Sequence, residues 1–443
     1  VLTSCEKFLD EKSNKALKFA ETLKDAQALL DDQGRLIAPF PYIGEVSSDN
    51  MYVLDANLAS VASDGDRRMY TWEKDNVFQG EPNNWADCYR VIYYGNTALE
   101  IAEKVGKNAS NVDEYNNVKG QAHFYKGLGL FNVATIWASF YEPATAASAL
   151  GVPIRESTDF NVVSKRSTLA ETYGQLLLDL KMAAALLPRT TVHPIRPSKA
   201  GVFGMLSRVY LSMNNYQDAQ LYADSALQIN SSLLNFNTLS TTANFPVTDA
   251  NVEVLFYAYV SNAPISRQAN ANVDQELVKQ YHKDDLRRVI YLRDNGNGNF
   301  VFKGNFTASS ALFGGPSVNE MYLNRAECLA RANQLNAALD DLNTLMVSRW
   351  NKNFTYPRYQ STDQATVLNW ILTERRKELL MRGIRWLDLR RLNKLGANIV
   401  VKRTKNAVQT ELLPNSLRYV LPIPEKYIRL TCMSSLTMPP KSR

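Results

Sequence analysis

Two stretches of this chain repeat one spacing, and that repetition limits the possible folds more than any other feature of the sequence. In the first, Phe203, Leu206, Ser207 and Tyr210 fall on one face of a helical stretch. Asn214-Asn215 supply a turn, and Tyr216, Ala219, Ala223 and Ala226 fall on one face of the next stretch. In the second, the same offsets give Tyr322, Arg325, Ala326 and Leu329, then Leu335, Ala338, Leu342 and Leu345. Small residues at fixed places let antiparallel helices approach closely. Arg325 is the misfit, a cation at an apolar place. Two such pairs cannot close a core alone, because each repeat buries its face against a neighbour. Other helices must complete the stack.

The small-residue places are those of a tetratricopeptide repeat. Helical patterns are also expected over 13–30, with Leu17, Ala20, Leu23 and Leu30, and over 86–105 and 114–140. Thr168 with Glu171 reads as a capping box whose helix ends at Leu186-Leu187-Pro188. The fold class expected is therefore mostly α: a tetratricopeptide-like helical-repeat scaffold with a loop-rich insertion and a few short strands. The N-terminal helical half spans 1–233 and carries aromatic-rich loops over 39–85. The insertion spans 234–316, and the C-terminal helical half 317–443, in one compact globule. Within the insertion, Val252–Tyr257 reads as a strand, and 294–298 as a turn before the strand-like Phe300-Val301-Phe302. With 443 residues, 45% of them apolar, the chain can bury a core without disulfides or metals.

Several functions are excluded or disfavoured. No uninterrupted apolar run reaches the roughly 18 residues of a membrane helix. The net charge of +6 is spread along the chain, which gives no footprint for nucleic acid. Cys5, Cys88, Cys328 and Cys432 form no CxxC pair, and His123, His193 and His282 are the only histidines, so no zinc site is expected. No GxSxG, HExxH or P-loop motif is present. The pairs Asp31-Asp32, Asp284-Asp285 and Asp340-Asp341 read as solvated faces or caps. Leu2-Thr3-Ser4-Cys5 has the form of a bacterial lipobox, so Cys5 is the candidate for lipidation, with a free thiol as the alternative. Two acyl chains would give stable anchoring to a membrane.

Two constellations remain. Residues 373–394 concentrate charge: Glu374, Arg375, Arg376, Lys377 and Glu378, then Arg382, Arg385, Asp388, Arg390 and Arg391. The interleaved Leu379, Leu380, Trp386, Leu387 and Leu389 argue for a helix hairpin broken at Gly383, whose ion pairs fix register. The loops over 39–85 hold Tyr42, Tyr52, Tyr70, Trp72 and Trp85 among Asp49, Asn50 and Arg67. Aromatic faces pack on the C–H faces of sugars while Asp, Asn and Arg bond the hydroxyls. The alternative is that each ring packs its loop onto the helices. Trp72, helped by Tyr52 or Tyr70, is the expected platform, with Asp49, Asn50 and Arg67 as polar contacts and Arg267 and Asn270 as more distant candidates.

The motifs, taken in order, resemble the SusD/RagB family of surface lipoproteins of the Bacteroidetes. Trp85, Tyr89, Ile92 and Asn96 look like its W…Y..I…N helix, and 120–137 like its long Ala/aromatic helix. Leu150–Ile154, Arg166–Tyr173, Asp179-Leu180 and Leu187-Pro188 follow, then Asn319–Glu327, Glu374–Leu379, Gly383–Arg390 and Leu421–Pro424. The resemblance implies a right-handed helical-repeat scaffold with a variable loop face. It implies a cell-surface, outer-membrane, lipid-anchored protein with neither catalysis nor a cofactor. Its role would be to bind a nutrient and cap a SusC-like TonB-dependent transporter. The ligand expected is an oligosaccharide, with a peptide, as in RagB-like members, as the alternative; a glycan-active enzyme and a pure scaffold stand further off. The resemblance also places Asp49 at the family's usual acidic position. The chain departs from the family at Arg382, where a glutamate usually precedes the glycine, which implies rearranged ion pairing near Arg385. It departs again after Ile428, where the last residues leave the usual ending.

Overall fold

Helices form where the periodicity asks for them, and small side chains set how closely they pack. The computed structural model describes residues 20–430 apart from 76, 79–83 and 262. Its main helices are Asn84–Val105, Val112–Trp137, Leu169–Leu186, Lys199–Ser212, Tyr216–Leu227, Val318–Arg331, Leu335–Arg349 and Gln364–Glu378. Each packs on the next in this order, and Gln364–Glu378 also returns to Val318–Arg331. That is the nearest-neighbour logic of a repeat stack. Gly95 and Gly129 let the first two of these helices touch. A Cβ at Gly95 would stand 2.8 Å from the Ala122 carbonyl oxygen, and one at Gly129 2.9 Å from that of Cys88.

The two repeat pairs adopt the helices their spacing predicts. Ala219, Ala223 and Ala226 are fully buried, and Ser207 Oγ donates to the Ala219 carbonyl at 2.9 Å across the contact. Asn214 and Asn333 take the left-handed backbone at the two equivalent turns, with φ of 57° and 58°, a conformation that asparagine tolerates better than most residues. Arg325 has a purpose that periodicity could not show. It holds Asp341 at 2.7 Å and Asp224 at 2.6 Å, clamping the second pair onto the first. Thr168 and Glu171 form the expected capping box.

Three local expectations change. The helix expected over 13–30 is seen as Leu23–Leu30, started by a Thr22–Asp25 capping box; residues before 20 lie outside the described range. The loops over 39–85 contain the short helices Ile43–Ser47, Asp55–Ser60 and Asp64–Tyr70. Val252–Tyr257 is not a strand. The N–H groups of Leu255 and Phe256 both turn to the Pro316 carbonyl, at 3.1 and 3.4 Å, and proline has no N–H to return. Only an isolated bridge from Val254 to Ser317 results. The turn over 294–298 does join two strands, Leu292–Asp294 and Phe300–Phe302.

The charged segment is structural, as its interleaved leucines indicate. Gln364–Glu378 and Arg385–Lys394 are separate helices, and Gly383 between them has a φ of 72°. Their charges point inward. Arg287 pairs with Asp285 at 2.7 Å and Glu378 at 3.1 Å, and also with Glu374. Arg349 reaches Glu253 and Glu378, each at 2.7 Å. Arg391 holds Glu327 at 2.6 Å and Asp388 at 2.8 Å. Burial pushes the Glu378 carboxyl up, but Arg349 and Arg287 outweigh it and hold the group at about 2. Removing one partner of such a pair leaves a charge stranded. Arg349→Met is expected to cost about 3–5 kcal/mol, read by chemical denaturation; a loss below about 1 kcal/mol, the value of an exposed pair, would show that the lattice contributes little.

Candidate functional site

The loop face is assembled from segments far apart in the chain. Met51–Val53 pairs antiparallel with Ala271–Val273, with Tyr52 opposite Asn272. The hairpin of Leu292–Asp294 and Phe300–Phe302 lies against Ala271–Val273. At the hairpin tip, Asp294 accepts the Gly296 N–H at 2.8 Å. Gly296 and Gly298 have φ of 92° and 79°, a backbone that favours glycine. This tip presents side-chain amides. Tyr52 donates its hydroxyl to Asn299 Oδ1. Gln275 Nε2 donates to the Tyr52 hydroxyl and to Asn299 Oδ1, each at 3.2 Å. Asn299 Nδ2 donates to Asn297 Oδ1 at 2.9 Å. The result is a ledge of one tyrosine ring and three amides, half-buried or exposed.

The structure redistributes the residues expected at the site. Trp72 and Tyr70 are buried, at 4% and 1% exposure, so neither offers a face to a sugar. Their partner is Arg403, whose guanidinium lies 4.5 Å from the Tyr70 ring centre and 5.2 Å from that of Trp72. Trp72 Nε1 donates to the Ser47 carbonyl at 3.1 Å, and the Tyr70 hydroxyl accepts the Val53 N–H at 2.8 Å. Asn50 is buried and donates to Glu45 at 2.8 Å. Asp49 is gripped by Arg385 at 2.7 Å and Arg376 at 3.3 Å. Arg67 binds Asp64 at 3.1 Å and the Val61 carbonyl. Arg267 is exposed, and Asn270 Nδ2 donates to the Pro264 carbonyl at 2.9 Å. Tyr52 is the expected residue that reaches the amide ledge. Cys5 lies outside the described residues.

The sequence does not single out Gln275, Asn297 or Asn299; the Asn/Gly run over 294–298 reads as a turn and nothing more. Its signal was the density of amides at a hairpin tip. Arg382, the departure from the family pattern, is buried between the rings of Phe306 and Phe313, 5.0 and 4.3 Å from their centres. It donates to the Gly315 carbonyl at 3.2 Å and Ser317 Oγ at 2.9 Å, while Arg385 keeps its carboxylate at Asp49. Beside the ledge, a cleft lined by Met51, Gln268, Asn272 and Phe302 has a cavity volume of about 20 Å³, room for a water molecule. A larger ligand would lie on the open face. Among the described residues no group of three or more His, Cys, Asp or Glu could hold a metal ion.

Behind this face sits a buried carboxyl with an unusual balance. Glu45 accepts from Asn50 Nδ2 at 2.8 Å and from the Gly383 N–H at 2.9 Å. Burial, with the charge of Asp49 adding to it, nonetheless pushes it up to about 7. Among the described residues Asn50 Oδ1 is buried without a partner. Turning the Asn50 amide over would let that oxygen accept the proton of a neutral Glu45. The folded protein thus holds a proton here that the unfolded chain releases near its ordinary value of 4.5. Stability therefore falls as pH rises from about 4.5 to about 7. Glu45→Gln, which stays neutral and can donate to Asn50 Oδ1, is expected to gain up to about 3 kcal/mol over wild type between those limits. Denaturation at pH 5 and pH 8 checks this; a difference that does not change with pH would refute it.

Comparison with known proteins agrees with this fold. Residues 7–211 match the family model described as starch-binding and associating with the outer membrane. Residues 318–432 match the SusD family model. A curated relative, SusD-like protein P2 of Formosa agariphila, is 23% identical over 208 residues. That match covers 45% of this chain and 38% of the relative's length. A SusD superfamily protein of Bacteroides thetaiotaomicron superposes with a TM-score of 0.74 at 22% identity, covering 93% of this chain and 98% of the other. A putative sugar binding protein of Bacteroides vulgatus gives 0.71 at 23% identity, covering 93% and 95%. With both helical halves matched in order and the same fold over nearly the whole chain, the protein belongs to the SusD/RagB family.

Proposed function

We propose that this protein captures an oligosaccharide at the cell surface, without catalysis, and delivers it to a SusC-like TonB-dependent outer-membrane transporter, with Cys5 as its lipid anchor. The observation that carries the ligand class is the Tyr52, Gln275, Asn297 and Asn299 ledge. Side-chain amides both donate and accept, as sugar hydroxyls do, and the tyrosine adds a flat apolar face. Their mutual hydrogen bonds set the groups in place before a ligand arrives, which lowers the ordering cost of binding. The buried carboxylates Glu253, Glu327 and Glu378 are each bound to arginines, which favours binding over acid–base chemistry. Delivery to a barrel would require an interface beyond the roughly 1,200–2,000 Å² of a standard complex.

An open ledge binds weakly, in the range of about −4 to −8 kcal/mol that corresponds to millimolar to micromolar dissociation constants. Calorimetry against a panel of oligosaccharides and peptides tests the reading. Tyr52→Ala and Asn299→Ala are expected to weaken glycan binding several-fold with little change in melting temperature. Trp72→Ala should do the reverse, losing about 3–5 kcal/mol of stability through its buried ring. Saturable binding to peptides and to no glycan would overturn the ligand class.

A further inference from the structure

The hairpin that carries the ledge also carries two cations held by neutral groups. Lys303 Nζ donates to the carbonyls of Thr241 and Ala243 at 2.7 and 3.0 Å. Arg293 donates to Asn244 Oδ1 at 2.9 Å and Gln268 Oε1 at 3.2 Å. Both side chains thus end against the same short stretch, 241–244. The strand register places them together. Arg293 is opposite Val301 and Leu292 opposite Phe302, and the Lys303 N–H donates to the Tyr291 carbonyl at 2.7 Å. With a side-chain period of two, positions 291, 293, 301 and 303 share one face of the hairpin. Asp294, the nearest acid in sequence, falls on the other face and caps the turn.

Arg382, Arg390 and Arg403 are likewise held by carbonyls, but all three are buried, whereas Arg293 is exposed beside the ledge. Arg287, Arg349 and Arg391 each hold carboxylates, whereas neither Arg293 nor Lys303 forms an ion pair among the described residues. Burial, and then the charge of Arg293, hold the Lys303 ammonium below the usual lysine range. Carbonyl and amide oxygens fix the two groups in position and leave their charge uncompensated. An ammonium has three N–H bonds and a guanidinium five; in each group the neighbours take two. Lys303 is 3% exposed and adds only its charge from behind, whereas Arg293 is exposed; the donors that remain on Arg293 suit an oxyanion, which charge-assisted hydrogen bonds hold about twice as strongly as neutral ones. Asn299 lies two residues before Val301, which is opposite Arg293, roughly 7 Å along the strand, so one short chain of sugars could span the ledge and Arg293.

We propose that Arg293, backed by the buried charge of Lys303, forms a subsite for an anionic substituent, a carboxylate or a sulfate ester, carried by the glycan that lies on the amide ledge. The proposal rests on the oligosaccharide reading and narrows it to acidic glycans. Three probes test it by calorimetry: an oligogalacturonate for the carboxylate, a carrageenan oligosaccharide for the sulfate ester, and a laminari-oligosaccharide as the neutral control. At least one acidic probe should bind more tightly than the neutral one. Raising salt from about 50 to about 500 mM should weaken only the acidic binding. Arg293→Gln, at an exposed position, should weaken the acidic probe about tenfold, the loss of one strong charge-assisted contact. It should leave the neutral probe unchanged. Lys303→Met should act in the same direction, with its melting temperature followed as a check on folding. Binding of the neutral probe alone would overturn the subsite and leave the oligosaccharide reading standing. Acidic binding that Arg293→Gln does not weaken would also overturn it, since the anion would then be read elsewhere. Binding of none of the three would overturn it as well, and peptide binding in their place would remove the oligosaccharide reading too.

Discussion

The structure depends on the shared grip of Arg349 and Arg287 on Glu378. Glu378 closes a repeat-stack helix, Arg349 closes its neighbour, and Arg287 belongs to the inserted segment. A fully buried carboxylate between two fully buried guanidiniums is stable only in one arrangement, because any displacement strands a charge away from water. Through Arg349 the same lattice reaches Glu253, and through Arg287 it reaches Asp285, both in the insertion. The inserted chain is therefore fixed to the helices by electrostatics as well as by apolar contact. The loop face is held to the scaffold through that attachment.

A second set of ionic contacts extends the grip to the N-terminal loops. Arg376, between Glu374 and Glu378, and Arg385, after them in the charged segment, both hold Asp49. Arg376 also reaches Asp274 at 3.2 Å, beside the strand that pairs with Met51–Val53. One charged stretch thus organises the scaffold, the insertion and the loops. Among the described residues Arg382 has no carboxylate partner and is held instead by two aromatic rings, a carbonyl and a hydroxyl. The glutamate that family members usually carry there could not use those ring faces, since an anion is repelled by them.

What the sequence showed was local. Helix pairs, the Thr168 capping box and the 294–298 turn each depend on residues within a few positions of one another, so spacing reveals them. The charged segment was readable as scaffold because leucines interrupt it at helical intervals. The site was less legible because its decisive partners are distant. Trp72 and Tyr70 look like a platform until Arg403, more than 300 positions later, takes their faces. Asp49 looks free until Arg385 arrives from the opposite half. Tyr52 looks no different from its aromatic neighbours, and only the pairing with Ala271–Val273 sets it beside Asn299. Val252–Tyr257 has the composition of a strand but meets a proline where a strand needs a donor.

That last pairing has a consequence for the order in which the molecule comes into being. Tyr52 and Asn299 are 247 positions apart, and Tyr52 and Gln275 are 223 apart. Contacts of such separation form slowly, because the closure entropy must be met before they contribute. The neighbouring helices of the stack can dock locally as they emerge, whereas the ledge exists only after both ends of a long loop have met. A chain arrested part-way would carry helices and no ledge. The ledge therefore reports completed folding, since a half-built molecule has its helices but not the meeting of Tyr52, Gln275 and Asn299.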